Sequence, residues 1–339
     1  MTPEQSPLSQ YHDTNHQPTP NQGMPTPRYP STSQSAAETR QPTGAYVQRL
    51  QRACHWLNID QGRTRDYLRL LEEFPHVSRH SNQHILAYYE SCEIVDLLEL
   101  WENRVHEFPG LKAKIQAACK KGPVLAEDEK ASSSSNKPRN DTFGYLLAGK
   151  FLAAGVSVIS VDGIHSTPPP GRPTADFSFR WTGDEFNVEC KRVQSLTQLP
   201  RRAKEARKQI ACSNRCGIIA IDCSAIARPA GHLLETSSPR RTEKAVSQWL
   251  EHNVAPQLYA NLSPTILGIV LYARLPAMTA TEILNANEEA YRRRDTISST
   301  LAIGNRGYPD LSILRDITQM LEPQPLSSSK GVWTNHPFP

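Results

Sequence analysis

The chain has 339 residues, 38% of them hydrophobic, and a formal charge of +4. At about 150 residues per domain that suggests two folded units or one unit with long tails, and the mild charge permits a nucleic-acid partner without demanding one. The longest apolar run, Ile266 to Ala273, falls far short of the ~20 residues of a membrane span, and the polar start carries no signal-type stretch, so a cytoplasmic (intracellular) location without a membrane partner is expected.

Residues 1–43 hold eight of the 27 prolines, with Gln, Ser and Thr between them; this composition predicts a disordered tail. From 44 to 121 the apolar residues recur at helical spacing: Val47, Leu50, Cys54 and Leu57, then Tyr67, Leu68, Leu70 and Leu71 up to Pro75. A stronger stripe runs from Ile94 through Trp101 to Val105, stopped by Pro109, and Leu111, Ile115 and Cys119 add another turn or two. Three to five helices in a small bundle are expected, a surface for a protein partner or self-association, followed by a linker over 122–138.

From 139 the pattern changes. A helix carries Phe143, Leu146, Leu147 and Phe151, with Asn140 or Asp141 as its cap and Gly155 as its stop. Val156 to Val161 is a β-branched strand, and 162–174 a Pro/Gly-rich loop. Asp176 to Trp181 and Phe186 to Val193 alternate apolar and polar residues around a Thr182-Gly183-Asp184 turn, which predicts a hairpin. A helix after Pro200 buries Ala203, Ala206 and Ile210, and Gly217 to Cys223 is a buried strand. Beyond lie a helix over 242–258, a buried strand from Ile266 to Ala273, a further strand over 296–303 and a loose tail over 323–339.

Chemistry concentrates in the hairpin. Glu189 and Lys191, two residues apart on a strand, project from one face, and the turn brings Asp176 of the preceding strand beside them. Two adjacent carboxylates repel unless a proton or cation intervenes. A hard divalent cation resolves this: Mg²⁺, with Mn²⁺ as substitute, takes one or two carboxylates and several waters, and can bridge a phosphate oxygen and acidify a water. An ammonium beside it would position that water or neutralise charge on the phosphorus. Asp, Glu-x-Lys and a metal therefore suit phosphodiester hydrolysis, whereas an isolated Glu-x-Lys is more often a solvated ion pair.

The element order over about 139–225, with Thr174-Ala175-Asp176 followed by Val188-Glu189-Cys190-Lys191, resembles the PD-(D/E)xK, or restriction-endonuclease-like, nuclease superfamily. The resemblance implies an α/β fold with a helix-strand-strand-strand-helix-strand core and mixed sheet, spanning 139–322 behind the helical region and the tail. It implies metal ligands at Asp176 and Glu189, a catalytic lysine at Lys191 and an auxiliary polar residue at Gln209. Ala175 stands where the family name has Pro. The first helix holds no Glu, where members often add one; Asp141 or Asn140 is the substitute. Arg201, Arg202, Lys204, Arg207 and Lys208, opposed in that run by Glu205 alone, would bind a nucleic-acid backbone, DNA first; a solvated helix face explains the run equally well.

Other signals carry less. Gly144 to Lys150 matches most of a phosphate-binding loop, but Phe151 replaces its hydroxyl residue and no strand precedes it, so it reads as a core helix. His76, His80 and His84 read as loop histidines. Cys212 and Cys216 lack a second pair at zinc spacing, and seven cysteines fit free thiols in a reducing compartment. Two alternatives to a nuclease stay open: a catalytically inactive nucleic-acid-binding module on the same fold, and a protein-interaction scaffold built on the 44–121 helices.

Overall fold

The computed structural model describes residues 40–73, 82–128, 137–165, 175–213, 215–227, 234–236, 238–281, 291–308 and 311–321. Four helices come first: α1 (Arg40–Leu57), α2 (Arg63–Glu73), α3 (Asn82–Trp101) and α4 (Leu111–Lys120). Helix α1 starts inside the segment expected to be disordered; Pro42 sits in its first turn, where a missing N–H is tolerated. The remainder of that tail, 1–39, lies outside the described residues, as do 323–339, His76 and His80. Helix α3 ends at Trp101, short of Pro109, and Val105 belongs to a separate 3₁₀ turn, Val105–Glu107. The Trp101 indole N–H donates to the Tyr145 carbonyl at 2.9 Å, and Arg104 to that of Leu152 at 2.9 Å.

The expected linker contributes a 3₁₀ turn, Ala126–Asp128, and its last two residues open helix α5 (Lys137–Ala153). Asn140 therefore ends the first turn of α5 and Asp141 opens the second, so neither is its cap. Gly155, at φ +82°, ends the helix through its N–H to Leu152. Next come β1 (Ser157–Val161), β2 (Ile164–His165), β3 (Phe177–Trp181), β4 (Asp184–Arg192), α6 (Leu199–Ala211) and β5 (Gly217–Asp222). The chain finishes with α7 (Ser224–Ala227), β6 (Leu234–Thr236), α8 (Pro239–Trp249), β7 (Ile266–Thr281), β8 (Tyr291–Gly304) and α9 (Ser312–Leu321). The helix expected over 242–258 thus changes character at Leu250, passing into a π turn, Leu250–Val254, and then a 3₁₀ turn. Strands β7 and β8 outrun the expected apolar windows because each supplies the other's backbone partners along the whole length, from Gly268–Gly304 to Thr281–Tyr291.

The fold is α/β around one mixed eight-stranded sheet, ordered β2-β1-β3-β4-β5-β7-β6 with β8 also paired to β7. Strand β3 pairs antiparallel with both β1 and β4, whereas β4 with β5 and β5 with β7 pair in parallel. Alternate residues of β5 feed two cores. Ile218 and Ala220 join the cluster that holds α1–α5, Phe177, Phe179 and α9, whereas Ile219 and Ile221 join the cluster of α6 and α8. The α1–α4 segment and one face of the sheet therefore share a core. Close packing of α3 on α5 needs Gly149: a Cβ there would lie 2.9 Å from both Leu100 Cβ and Trp101 Nε1.

Charges join the same elements. On α3, Glu90, Glu93 and Asp96 stand three residues apart and thus on one face. Glu90 meets Arg139 of α5 at 2.9 Å, Glu93 meets Arg192 of β4 at 3.8 Å, and Asp96 meets Arg274 of β7 at 2.8 Å. Burial opposes the charge on Glu93, but the arginines around it hold its carboxyl below the usual carboxylate range. A cavity of about 50 Å³, lined by Glu93, Arg192, Ser224 and Arg274 among others, lies beside these pairs. No described helix is long and apolar enough to cross a membrane.

Candidate active site

The β3–β4 hairpin turns through Thr182 and Gly183, both at positive φ (+48° and +98°), the geometry of a two-residue turn whose twist matches its strands. It fixes the register: Trp181 pairs with Asp184, Phe179 with Phe186 and Phe177 with Val188. One step beyond the last pair, Asp176 stands level with Glu189. The apolar residues of this hairpin face the α5 core, so Glu189 and Lys191 leave β4 on the opposite face, toward α6.

The pair is deeply set. Glu189 is 1% exposed and Lys191 12%, and the Lys191 ammonium donates to Glu189 Oε1 at 2.5 Å. The other oxygen, Oε2, is buried and has no hydrogen-bond partner. Burial first, and the neighbouring Asp176 charge second, push the Glu189 carboxyl up to about 7, against the pull of Lys191 and of the Asp176 backbone N–H. Asp176 Oδ2 accepts the Cys190 backbone N–H at 2.6 Å. Burial still raises the Asp176 carboxyl, with Asp141 and Asp162 adding to the rise, while Lys191 and the Cys190 N–H oppose it. The buried Cys190 thiol is pushed up by burial and by both carboxylates. Asp176 and Glu189 are hard oxygen donors, one of them with an orphaned buried atom, and this donor set fits a Mg²⁺ or Mn²⁺ ion completed by water or phosphate. Among the described residues no three His, Cys, Asp or Glu side chains converge as a ready-made metal cage.

Two further carboxylates border the pair. Asp141, on α5, receives both its hydrogen bonds from Lys137, at 2.8 and 2.7 Å; burial nonetheless raises its carboxyl. Asp162, which sequence reasoning left in a loop, occupies the β1–β2 turn at φ +45°. Its N–H donates to the Asp176 carbonyl at 2.6 Å, and its carboxylate accepts from Tyr145 OH at 2.9 Å and Lys114 of α4 at 2.9 Å. Burial, then Asp162 and Asp141, raise the Tyr145 phenol. The available signal for Asp162 was the Asp162-Gly163 dipeptide, a turn signature that closes a hairpin here; Lys137 stands four residues before Asp141 on one helix, whereas Lys114 reaches Asp162 across a distance no spacing rule reveals.

The other candidates sit elsewhere. Asn140 Oδ1 accepts the Arg192 backbone N–H at 2.8 Å, so it holds the end of β4. Gln209 is exposed near the end of α6. Its neighbour Ile210 would touch a Cβ on Gly217, which pairs with Asn187, four residues or about 13 Å along the strand from Lys191. Among the described residues no hydrogen bond joins Gln209 to the acids. Along α6, Arg201, Lys204 and Lys208 are exposed, Arg202 bonds Glu205 at 3.0 Å and Arg207 bonds the Ala260 carbonyl at 3.3 Å. His165 lies on β2, separated from β4 by two strands. Gly144 to Lys150 is helical within α5, and all seven cysteines are free. Comparison with protein-family models, with curated proteins and with solved structures finds no match to this chain.

Proposed function

We propose that this protein is a Mg²⁺-dependent hydrolase of phosphodiester bonds in nucleic acid, DNA first, of the PD-(D/E)xK kind. The observation that carries the reading is the alignment of Asp176 with a buried Glu189-x-Lys191, in which one glutamate oxygen has no partner. The order α5, β1, β3, β4, α6, β5, with β5 parallel to β4, supports it as the arrangement the resemblance implies.

A bound Mg²⁺ would neutralise a phosphate oxygen and acidify a water. Asp176 and Glu189 are the residues to hold it. Asp176 is kept in place through its two backbone-linked bonds, to Cys190 and from Asp162. Lys191, fixed by Glu189, presents a cation beside the carboxylates, where it orients the attacking water and offsets charge building on the phosphorus. The exposed face of α6 offers Arg201, Lys204 and Lys208 to the nucleic-acid backbone.

A second reading, a binding module without catalysis, draws on the first helix: it lacks a Glu, and its Asp141 is taken by Lys137. Cleavage of a plasmid, a duplex oligonucleotide and an RNA in Mg²⁺ and in Mn²⁺ separates the two. The nuclease reading expects metal-stimulated cleavage that Asp176→Ala or Lys191→Ala abolishes in protein that still melts as a folded body. Unaltered cleavage in either variant overturns the assignment. Nucleic-acid retention with no metal-stimulated cleavage and an empty calorimetric Mn²⁺ titration supports the binder.

A further inference from the structure

Tyr259 is 57% exposed, and among the described residues it is the one large hydrophobic side chain left open to solvent. It sits on a short 3₁₀ turn, Tyr259–Asn261, whose other residues pin it: Leu258 before it is buried in the core of α6 and α8, and Asn261 is buried as well. The Asn261 N–H donates to the Leu258 carbonyl at 2.8 Å and the Leu262 N–H to that of Tyr259 at 3.2 Å. A fixed backbone therefore presents the ring. The cations of α6 lie beside it. That helix packs on the turn, and Arg207 donates to the carbonyl of Ala260, the residue after Tyr259, at 3.3 Å. The exposed Lys204 neighbours both Arg207 and the exposed Lys208 across one turn of the helix, and Arg201 neighbours Lys204. Glu205, the acid of this stretch, is taken by Arg202 at 3.0 Å and Arg201 at 3.8 Å. The late residues of α6 stand over Gly217, which pairs with Asn187. Arg201 is thus at the end nearer Lys191, and Arg207 about 9 Å further along.

We infer that Tyr259 is a stacking platform for one unpaired base, with the cations of α6 holding the phosphates of the same strand, so that this face takes single-stranded nucleic acid. This rests on the reading of α6 as a nucleic-acid face and concerns which form of nucleic acid that face holds. Cations alone do not discriminate, because a duplex and a single strand both carry phosphates. The ring does. An aromatic side chain engages a base through its face, and in a closed duplex the faces are covered by the neighbouring pairs; an unpaired base offers its face to any ring, whatever its sequence. A protein partner would need more apolar area than one ring supplies, and among the described residues no second large hydrophobic side chain is exposed to widen the patch. A strand stacked on Tyr259 can run along Arg207, Lys204 and Arg201 in turn, toward the end of α6 that lies nearer Lys191.

The test is fluorescence anisotropy on the full chain in EDTA, so that binding is read without cleavage, with three labelled probes of equal length: oligo-dT, an abasic strand and a DNA duplex. Wild type should hold oligo-dT more tightly than the abasic strand by roughly 5- to 150-fold, the range for stacking one base. Tyr259→Ala should lose that preference, bind the abasic strand and the duplex as wild type does, and keep the wild-type salt slope. Tyr259→Phe should retain the preference, since the ring stacks without its hydroxyl. Lys204→Ala with Lys208→Ala should do the reverse, weakening all three probes and lowering the salt slope. Equal affinity of wild type for oligo-dT and the abasic strand overturns the inference, and that comparison needs no variant to fold. So does a Tyr259→Ala protein that melts like wild type and either binds oligo-dT unchanged or loses duplex binding by as much. Each of these outcomes leaves the nuclease reading standing. No binding of wild type to any of the three probes at low salt overturns the nucleic-acid reading of α6 and the inference with it.

Discussion

Burying Glu189 beside Asp176 has a consequence for stability that can be measured without any substrate. The carboxyl titrates at about 7 in the folded chain against 4.5 in an unperturbed one. Between those values the folded state binds more protons than the unfolded state, so stability is fully present below about 4.5 and is lost as pH rises through 7. At about 1.4 kcal/mol for each tenfold change in proton affinity, the loss is on the order of 3 kcal/mol. For a body of this size that corresponds to roughly 6–10 °C in melting temperature. Thermal melts in EDTA at pH 5.5 and pH 8 should show about 2 kcal/mol of this fall, roughly 4–8 °C, with the Asp176 carboxyl adding to it in the same direction. Other carboxylates contribute slopes of their own, and Glu189→Gln separates them. At pH 5.5 the unfolded carboxyl is already largely ionised, so the variant's advantage there should be about 1.4 kcal/mol. At pH 8 that advantage should be larger. Parallel pH slopes in the two proteins would show that Glu189 is not held in its protonated form, and the case for a strained, cation-seeking carboxylate would fail.

Mn²⁺ at one hundred times its dissociation constant should raise wild-type stability at pH 8 by about 2.7 kcal/mol, and Asp176→Asn should abolish that increment in the same thermal assay. Gly149→Ala should cost about 1–3 kcal/mol in chemical denaturation, because the new methyl at 2.9 Å must push apart α3 and α5. Arg139→Met should cost about 3–5 kcal/mol, since it removes the counter-charge of the largely buried Glu90 carboxylate and the donor to the Pro123 and Val124 carbonyls; a loss below 1 kcal/mol would show that water already reaches that pair. Replacing Arg201, Lys204 and Lys208 together by Ala should weaken nucleic-acid binding and reduce its salt slope by up to about three, measured by filter binding across a salt series.

The parts of the site that follow from short-range rules were legible. Period-two alternation placed Phe186, Val188 and Cys190 on one face and Glu189 with Lys191 on the other, and the two-residue Thr182-Gly183 turn fixed the partner strand. The turn contains Thr182 and Gly183 where Thr182 to Asp184 was expected, and the pairing runs from Trp181–Asp184 to Phe177–Val188, one step short of Asp176 and Glu189. What depends on distant packing was not legible. Asp162, Lys114 and Lys137 share no spacing with the hairpin, and only the folded sheet brings them to it. Gln209 shows the converse. Its place on the second helix suggested a role, but α6 runs back along β4, so its late residues end near Asn187 and its early ones, about Leu199 to Arg202, near Lys191. Strand length failed for a related reason: the later half of β7 and the first residues of β8, outside the expected windows, carry mixed residues and exist as strands through each other's backbone.

The separation of a helical region from an α/β region, natural from composition, also changes meaning in three dimensions. Helix α3 packs on α5, on the side of the sheet opposite Glu189, and its Glu90, Glu93 and Asp96 engage arginines from α5, β4 and β7. One of these, Arg192, directly follows Lys191, and its backbone N–H is held by Asn140. From the other side, Lys114 of α4 grips the Asp162 turn, which in turn holds the Asp176 carbonyl. The two ends of the acid pair are thus each one residue or one hydrogen bond from a contact made by the α1–α4 segment. Buried ion pairs contribute little net stability but are costly to break singly, so they favour one arrangement of these helices on the sheet over any sliding alternative. That is the property a metal site needs, because two carboxylates that repel must be kept at a separation the surrounding packing imposes. On this argument the first helices are part of the frame that holds Asp176 against Glu189, and a partner-binding role for them would have to use the surfaces they leave exposed.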